Sequence, residues 1–418
     1  SLARTEDAQI AYCWRQFLDA GGDPEDAIWL SRLPMTKSAV RAMDTVTAFC
    51  AGSGDGGHTV STFVVSGASK RGWTTWTTAA VDTRVVGLAP LVIDLLNMER
   101  SFVHHFEALG RYADAVGDYT EHGILDFAGT PEYRRLQDYV EPYSYRDRLT
   151  MPKFIMNASQ DQFFLPDSSQ FYFDRLQGEK HLRYVQNNDH SLTRTADAAM
   201  DLEAWYTMLL NGTARPNISW VKRDDGQLEI DVLSGTPTSV TVWEATNATQ
   251  RSYIWNEVGS TGIYSVNASA LSEPTPGHYV TNVPLPSPGF KAFFVAFTFP
   301  SGGTFPFRMT TEVSVIPDVL PFGPKYEMGP ESELLDAAFY AGEASDGSNV
   351  AGRWALFGRA SNDATQVALW AVNANTFQPS IFLVTVGEPA SWRRITPDFA
   401  VTPDAPVYWT PDSSALYV

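Results

Sequence analysis

Apolar residues recur at helical spacing from the start of the chain, at Ile10, Trp14, Phe17 and Leu18, and Gly21 then stops the pattern. A second helix is predicted from Thr36 to Cys50, with Ala39, Met43 and Val46 on one face. The period then changes. The β-branched run Thr59 to Val65 reads as a strand that turns sharply at Gly67-Ala68-Ser69-Lys70-Arg71-Gly72 into another helix. Pro152 to Asn157 and Lys180 to Val185 read as buried strands, and Thr195 to Leu210 as an amphipathic helix carrying Met200, Trp205, Leu209 and Leu210. From Pro216 the texture becomes short alternating runs punctuated by Gly and Pro: Ile218 to Val221, Leu228 to Val232, Ser239 to Trp243, Tyr279 to Val283, Ala292 to Phe297 and Phe307 to Thr311. That spacing suits a β-sandwich of the immunoglobulin-like kind. Ala337 to Tyr340, Arg353 to Phe357, Val367 to Val372 and Ile381 to Val386 read as further strands, and the Pro411-Asp412 turn near the end resembles part of a propeller blade.

The strand-to-helix turn places a serine at the bend, which is how a hydrolase presents a nucleophile. Such a bend needs small neighbours. Gly67 satisfies the upstream requirement, but Arg71 stands where the usual downstream small residue would fall and the glycine comes one place later, at Gly72. The order of the remaining residues strengthens the reading, because an α/β-hydrolase lists its triad as serine, acid, histidine. Asp161 follows the strand ending at Asn157, and His190 follows the strand ending at Val185. Ser69 is therefore the candidate nucleophile, His190 the base and Asp161 the acid. Asp167, after Pro166, is the alternative acid, and Asp161 is preferred because it lies nearer the strand end. The backbone N–H of Lys70 is the expected first oxyanion donor, and its ammonium is expected near developing negative charge or an acidic substrate. His181 and His122 are read as structural. His104, His105 and Asp94 suggest a metal site, but adjacent histidines point to different faces and no second paired motif accompanies them, so they are read as structural too. No cofactor is expected.

Ser38-Ala39-Val40-Arg41-Ala42-Met43-Asp44, Ser66-Gly67-Ala68-Ser69-Lys70-Arg71-Gly72-Trp73, the segment Asp82 to Asp94, and Phe163-Phe164-Leu165-Pro166-Asp167-Ser168-Ser169 resemble the PhoPQ-activated pathogenicity-related proteins. Secreted autocrine proliferation repressor proteins resemble the same family. The resemblance runs to about Phe322 and implies an α/β-hydrolase domain followed by an immunoglobulin-like β-domain, with Ser69, Asp161 and His190 on the triad. The turn at Ser69 is also similar to that of glucuronoyl esterases, with Lys70 in place of the basic residue that helps the oxyanion there.

The fold class expected is thus α/β: an α/β-hydrolase sheet over residues 1–213, with a helical cap around 95–148, then a β-sandwich over 214–322 and a β-rich appendage over 323–418. Several strands should precede a nucleophile strand in this fold, and none is legible before Thr59. The expectation is that a preceding segment or a separate chain supplies them, together with the second oxyanion donor.

Composition narrows the partners. The 418 residues are 44% hydrophobic and 13% aromatic, enough for full cores. A net charge of −18 argues against binding nucleic acid or an anionic membrane surface. Small-molecule, glycan or peptide substrates fit better, and no apolar run is long enough to span a membrane. Cys13 and Cys50 leave pairing open. A secreted, surface or periplasmic location is expected. In that setting Asn211, Asn217, Asn247 and Asn267 are candidate glycan acceptors, whereas the sequon at Asn157 ends a core strand. Trp220 and Trp243 are read as core rather than as a sugar-stacking pair. Two functions remain: a serine hydrolase working through an acyl-enzyme, and a secreted signalling or interaction protein on a hydrolase scaffold.

Overall fold

Four parallel strands carry the first half of the fold: β1 (Phe63–Ala68), β2 (Val85–Leu91), β3 (Lys153–Ala158) and β4 (Lys180–Val185), lying side by side in chain order. The computed structural model describes residues 4, 6–52, 57–258 and 262–323, and then 353–360, 366–373, 379–385, 388–394, 408–409 and 416–417. Contacts divide the chain into two units, Ser1–Lys325 and Tyr326–Val418.

In the first unit, the α-helices α1 (Glu6–Asp19), α2 (Arg32–Cys50) and α3 (Lys70–Val81) belong to the N-terminal part. Between β2 and β3 come α4 (Met98–Leu109), α5 (Gly117–Glu121) and α6 (Pro131–Val140), joined by short 3-10 turns. The stretch between β2 and β3 is thus helical. β3 shows why the sheet is covered on both faces, since all six of its residues are buried. Its side chains alternate between two clusters. Ile155 joins Trp14, Trp76 and Met98 among the helices, while Phe154 and Met156 join Trp205 of α7 (Asp197–Leu210) and Phe307.

The alternating runs beyond Pro216 form two antiparallel sheets. One contains β5 (Asn217–Lys222), β6 (Leu228–Ser234), β9 (Leu271–Thr275) and β10 (His278–Thr281); the other contains β7 (Ser239–Asn247), β8 (Ser265–Val266), β11 (Phe290–Phe299), β12 (Phe307–Thr310) and β13 (Ser314–Ile316). Ile218, Leu228 and Ile230 of the first meet Val242, Val295 and Phe297 of the second in one apolar cluster, as in a sandwich. That cluster is continuous with Phe154 and Trp205 of the parallel-sheet layer. Trp220 stacks on Phe173 with ring centroids 5.1 Å apart, and Trp243 packs against the core, so both tryptophans serve packing.

The second unit contains an antiparallel sheet of β14 (Arg353–Ala360), β15 (Gln366–Asn373), β16 (Pro379–Thr385) and β17 (Glu388–Arg394), paired in chain order, and a two-stranded ribbon, β18 (Tyr408–Trp409) with β19 (Leu416–Tyr417). The strand expected at Ala337 to Tyr340 lies outside the described residues.

Two element bounds differ from expectation for physical reasons. β1 begins at Phe63 rather than Thr59, because Phe63 is the first residue with a partner on β2, at Val85. Val60 instead gives its carbonyl to Thr47 Oγ1 of α2. α2 begins at Arg32, with Pro34 in its first turn, where a missing N–H costs nothing. Cys13 is buried, Cys50 is half-buried, and both are free thiols.

Candidate active site

Ser69 follows directly on β1 and caps α3 with φ 56° and ψ −126°, a conformation a non-glycine residue adopts only where its surroundings force it. Its N–H donates to Leu91 O at 2.8 Å, which ties the turn to the end of β2. The two glycines explain how the turn fits despite Arg71. A Cβ on Gly67 would sit 2.7 Å from Arg71 O, and one on Gly72 would sit 2.9 Å from Leu91 O and 3.0 Å from Gly67 O. Close approach is therefore needed at Gly72, one place later than in the usual pattern, and Arg71 can be large.

Asp161 leaves the C-terminal end of β3 and His190 that of β4, so the three residues converge at the carboxyl edge of the sheet. His190 Nε2 lies 2.8 Å from Ser69 Oγ, and His190 Nδ1 lies 2.9 Å from both carboxylate oxygens of Asp161. Asp161 is 3% exposed and also accepts from the Phe163 N–H. The His190 backbone N–H donates to Gln162 Oε1, and the Phe163 ring lies 4.4 Å from the imidazole, centroid to centroid. With Asp161 ionised, the proton sits on Nδ1 and the Nε2 lone pair faces the serine hydroxyl.

The alternative acid has a different partner. Asp167 accepts from His104 Nε2 at 3.0 Å and from Arg251 at 2.7 Å, in a buried cluster. Burial alone would raise its carboxyl, but Arg251 and then His104 outweigh burial and hold it well below the usual carboxylate range. His105 accepts from the Ala113 N–H, and burial takes its pKa down to about 3. Asp94 receives hydrogen bonds from Tyr172 and Tyr184, and burial pushes its pKa up to about 8, so it stays neutral near Asp161 and Asp167. His181 packs against Phe307 and faces Glu179, and His122 bonds the carbonyl of Asp118.

Lys70 departs from expectation. As the first residue of α3, its backbone N–H has no acceptor within the helix and lies next to Ser69. Its ammonium, however, is paired with Glu6 at 2.8 Å and Asp7 at 3.2 Å rather than aimed at the reacting position. The pairing holds the Glu6 carboxyl below its ordinary value. Arg32, which the sequence did not single out, is 3% exposed, donates to Lys70 O at 3.0 Å and lies over the Trp73 ring.

A second unforeseen feature is a brace from the β-sandwich. Asn187, at φ 52°, donates from Nδ2 to Tyr264 O and accepts from the Tyr264 N–H, while Gln160 donates to Gly262 O and accepts from the Trp255 N–H. Both turns that carry the acid and the histidine are fixed this way.

Among the sequon residues, Asn211 and Asn217 are exposed and Asn267 is half-buried. Asn247 is buried, with its amide donated to Ser252 O, which corrects the expectation of a glycan there. Among the described residues no cluster has a metal-binding donor set, and no helix is long and apolar enough to cross a membrane.

A parallel sheet in chain order, a strained serine between strand and helix, and an acid and histidine after the next strands define an α/β-hydrolase fold. The chain belongs to the PhoPQ-activated pathogenicity-related protein family, whose sequence pattern matches residues 1–253. It is 35% identical over 362 residues to autocrine proliferation repressor protein A of Dictyostelium discoideum, covering 77% of this chain and 68% of that one. Among solved structures it is similar to an acetyl xylan esterase from Paenibacillus sp. R4, at 18% identity and a TM-score of 0.32 over 42% of this chain and 51% of that one. A second, acetyl xylan esterase 1 from Thermoanaerobacterium sp. JW/SL YS485, shows 16% identity and a TM-score of 0.30 over 43% and 53%. The chain spans about half the length of these solved esterases.

Proposed function

We propose that this protein is a serine hydrolase that cleaves an ester or amide of a small molecule, glycan or peptide through an acyl-enzyme. The observation that carries the reading is the pair of bonds made by one imidazole, Nε2 to Ser69 Oγ at 2.8 Å and Nδ1 to the Asp161 carboxylate at 2.9 Å. Serine is a weak nucleophile until a base takes its proton as it attacks. His190 removes that proton while Ser69 Oγ bonds to the carbonyl carbon, and Asp161 stabilises the imidazolium. The Lys70 N–H donates to the carbonyl oxygen as it becomes anionic. The imidazolium then returns the proton to the departing oxygen or nitrogen as that bond breaks. Water, activated by the same His190, cleaves the acyl-serine.

A fluorophosphonate probe should label the intact chain, and Ser69→Ala should abolish labelling. Absence of labelling in the folded protein overturns the reading.

The similarity to a protein named as an autocrine proliferation repressor favours a second reading, in which the hydrolase scaffold serves a signal outside the cell. Under that reading Ser69→Ala leaves the biological effect intact; its loss in a folded Ser69→Ala protein overturns the reading. We place the protein in a secreted or surface location under either reading, on the strength of its acidity and the exposed sequons at Asn211 and Asn217.

A further inference from the structure

Two different spaces adjoin the triad. Ser69 lines a narrow cavity of about 30 Å³ whose polar members, Asp7, Arg32, Lys70 and Tyr119, are tied to one another. His190 lines the other, an open groove of about 640 Å³ that also takes in Asn256 and Glu257 from the segment between β7 and β8. Because His190 returns its proton to the departing group, that group belongs in the groove and the acyl group in the cavity. One water needs roughly 10–15 Å³ of such space, so the cavity takes only a short acyl chain.

The charges of the groove are already matched. Asp189 pairs with Arg194 at 2.8 Å, and Glu257 and Asp114 both face Arg111. What remains free is neutral. Asn256 is exposed and its amide bonds no described residue. Gln162 carries more weight, because the two ends of its amide have different fates. The His190 backbone N–H can only donate, so the Gln162 end that meets it at 2.8 Å is Oε1, and the NH₂ is left over. That nitrogen has no partner among the described residues and is open to solvent where Gln162 lines the groove. A donor is thus held beside His190 before any ligand arrives, and little side-chain freedom is lost when it bonds one. Phe163, whose ring lies 4.4 Å from the imidazole, adds apolar surface to the same groove.

A leaving group that fits is uncharged, has C–H surface to lay against Phe163, and carries hydroxyls that accept from the free amides and donate to the carboxylates. A sugar ring has all three. An ammonium or a phosphate would compete with ion pairs already made. A peptide would seek a strand edge, and no strand residue lines this groove.

We propose that the groove is a leaving-group subsite for a sugar, so that the substrate is a sugar ester of a short acid, with Gln162 Nε2 donating to one of the sugar oxygens. The assignment rests on Ser69 being the nucleophile and His190 its base. As Ser69 Oγ bonds to the acyl carbon, the bond to the sugar oxygen breaks and that oxygen takes the proton from His190. Water then displaces Ser69 from the acyl carbon, and the short acid leaves.

The test compares, on the full chain, methyl glucoside acetylated on its primary hydroxyl with cyclohexylmethyl acetate. Both are acetates of a primary alcohol on a six-membered ring, and only one carries the sugar oxygens. Each kcat/KM is divided by the ester's rate with hydroxide, which removes intrinsic reactivity. The sugar ester should be preferred at least about tenfold, and Gln162→Met should cut that preference about fivefold, the value of one ordinary hydrogen bond. Loss of support for the His190 turn in the variant slows both esters alike and leaves the ratio unmoved, so the ratio reads sugar contact alone. A wild-type preference below about threefold overturns the proposal without any variant. So does a ratio unchanged in folded Gln162→Met, or fluorophosphonate labelling without turnover of either acetate. Absence of labelling removes the hydrolase reading itself, and this proposal with it.

Discussion

Asp161 and Asp167 sit on the same loop after β3, yet each answers to a different histidine: Asp161 to His190 beside Ser69, and Asp167 to His104 beside Arg251. One carboxylate orients an imidazole; the other neutralises a buried arginine. Asp161→Asn should leave the fold intact while lowering kcat by about 10³–10⁴-fold, because the imidazole loses its tautomer. Asp167→Asn should do the reverse in kind, destabilising the protein by about 3–5 kcal/mol by leaving Arg251 buried without its counter-charge. Urea melts and steady-state rates on both variants check this. Similar stability losses in the two would contradict the division.

The Asp94 carboxyl gives a pH signature. Its folded pKa is about 8, against 3.8 for the free side chain. Between those values the folded protein keeps a proton that the unfolded chain has released, so stability falls as pH rises through the window and is level on either side. The slope from this one group is at most about 1.4 kcal/mol per pH unit. Asp94→Asn, which stays neutral throughout, should gain stability relative to the wild type as pH goes from 5 to 8. A difference in melting temperature that stays constant over that range would show that Asp94 is ionised.

Asn187 offers a test of the brace. Asn187→Gly keeps the backbone at its positive φ and removes both side-chain bonds to Tyr264. A loss of about 1–2 kcal/mol in stability is expected. Several-fold slower fluorophosphonate labelling should accompany it, with KM for small esters little changed, since the histidine turn loosens while the cavity beside Ser69 is untouched. Unchanged labelling in the variant would assign Tyr264 a packing role only.

At the turn carrying Ser69, Gly67→Ala should cost about 1–3 kcal/mol, because its Cβ would meet backbone atoms of Arg71 at 2.7 and 2.8 Å and these cannot swing aside. Gly117→Ala, with nothing within 4 Å, is the matched control and should cost little. Differential scanning calorimetry on the pair decides the matter.

Local pattern made the strand-to-helix turn at Ser69 legible, because a strand, a glycine-flanked serine and a helix leave a contiguous mark. The order of Asp161 and His190 was legible for the same reason, as each directly follows an apolar strand. The start of β1 was not, since Thr59 to Thr62 carry strand-forming residues but lack a neighbour to pair with, and pairing decides. Arg32 and Asp7 escaped notice because their place beside Lys70 depends on how α1 and α2 fold back over the sheet. The brace from Trp255 to Tyr264 was invisible on similar grounds: backbone groups far along the chain bond the acid and histidine turns, and backbone groups carry no sequence signature. Asn247 misled because a sequon specifies a tripeptide and not exposure, and here the amide is turned inward to Ser252.

The apolar cluster shared by Phe154, Trp205, Phe297 and Phe307 has a consequence for how such proteins can diversify. A β-sandwich attached by a linker can be traded for another without disturbing its neighbour. This one cannot, because exchanging it would strip one face of the parallel sheet and withdraw Tyr264 and Trp255 from the two turns they hold. A substitution at this shared cluster must suit the side chains of both halves, so few other sandwiches would seat on this sheet.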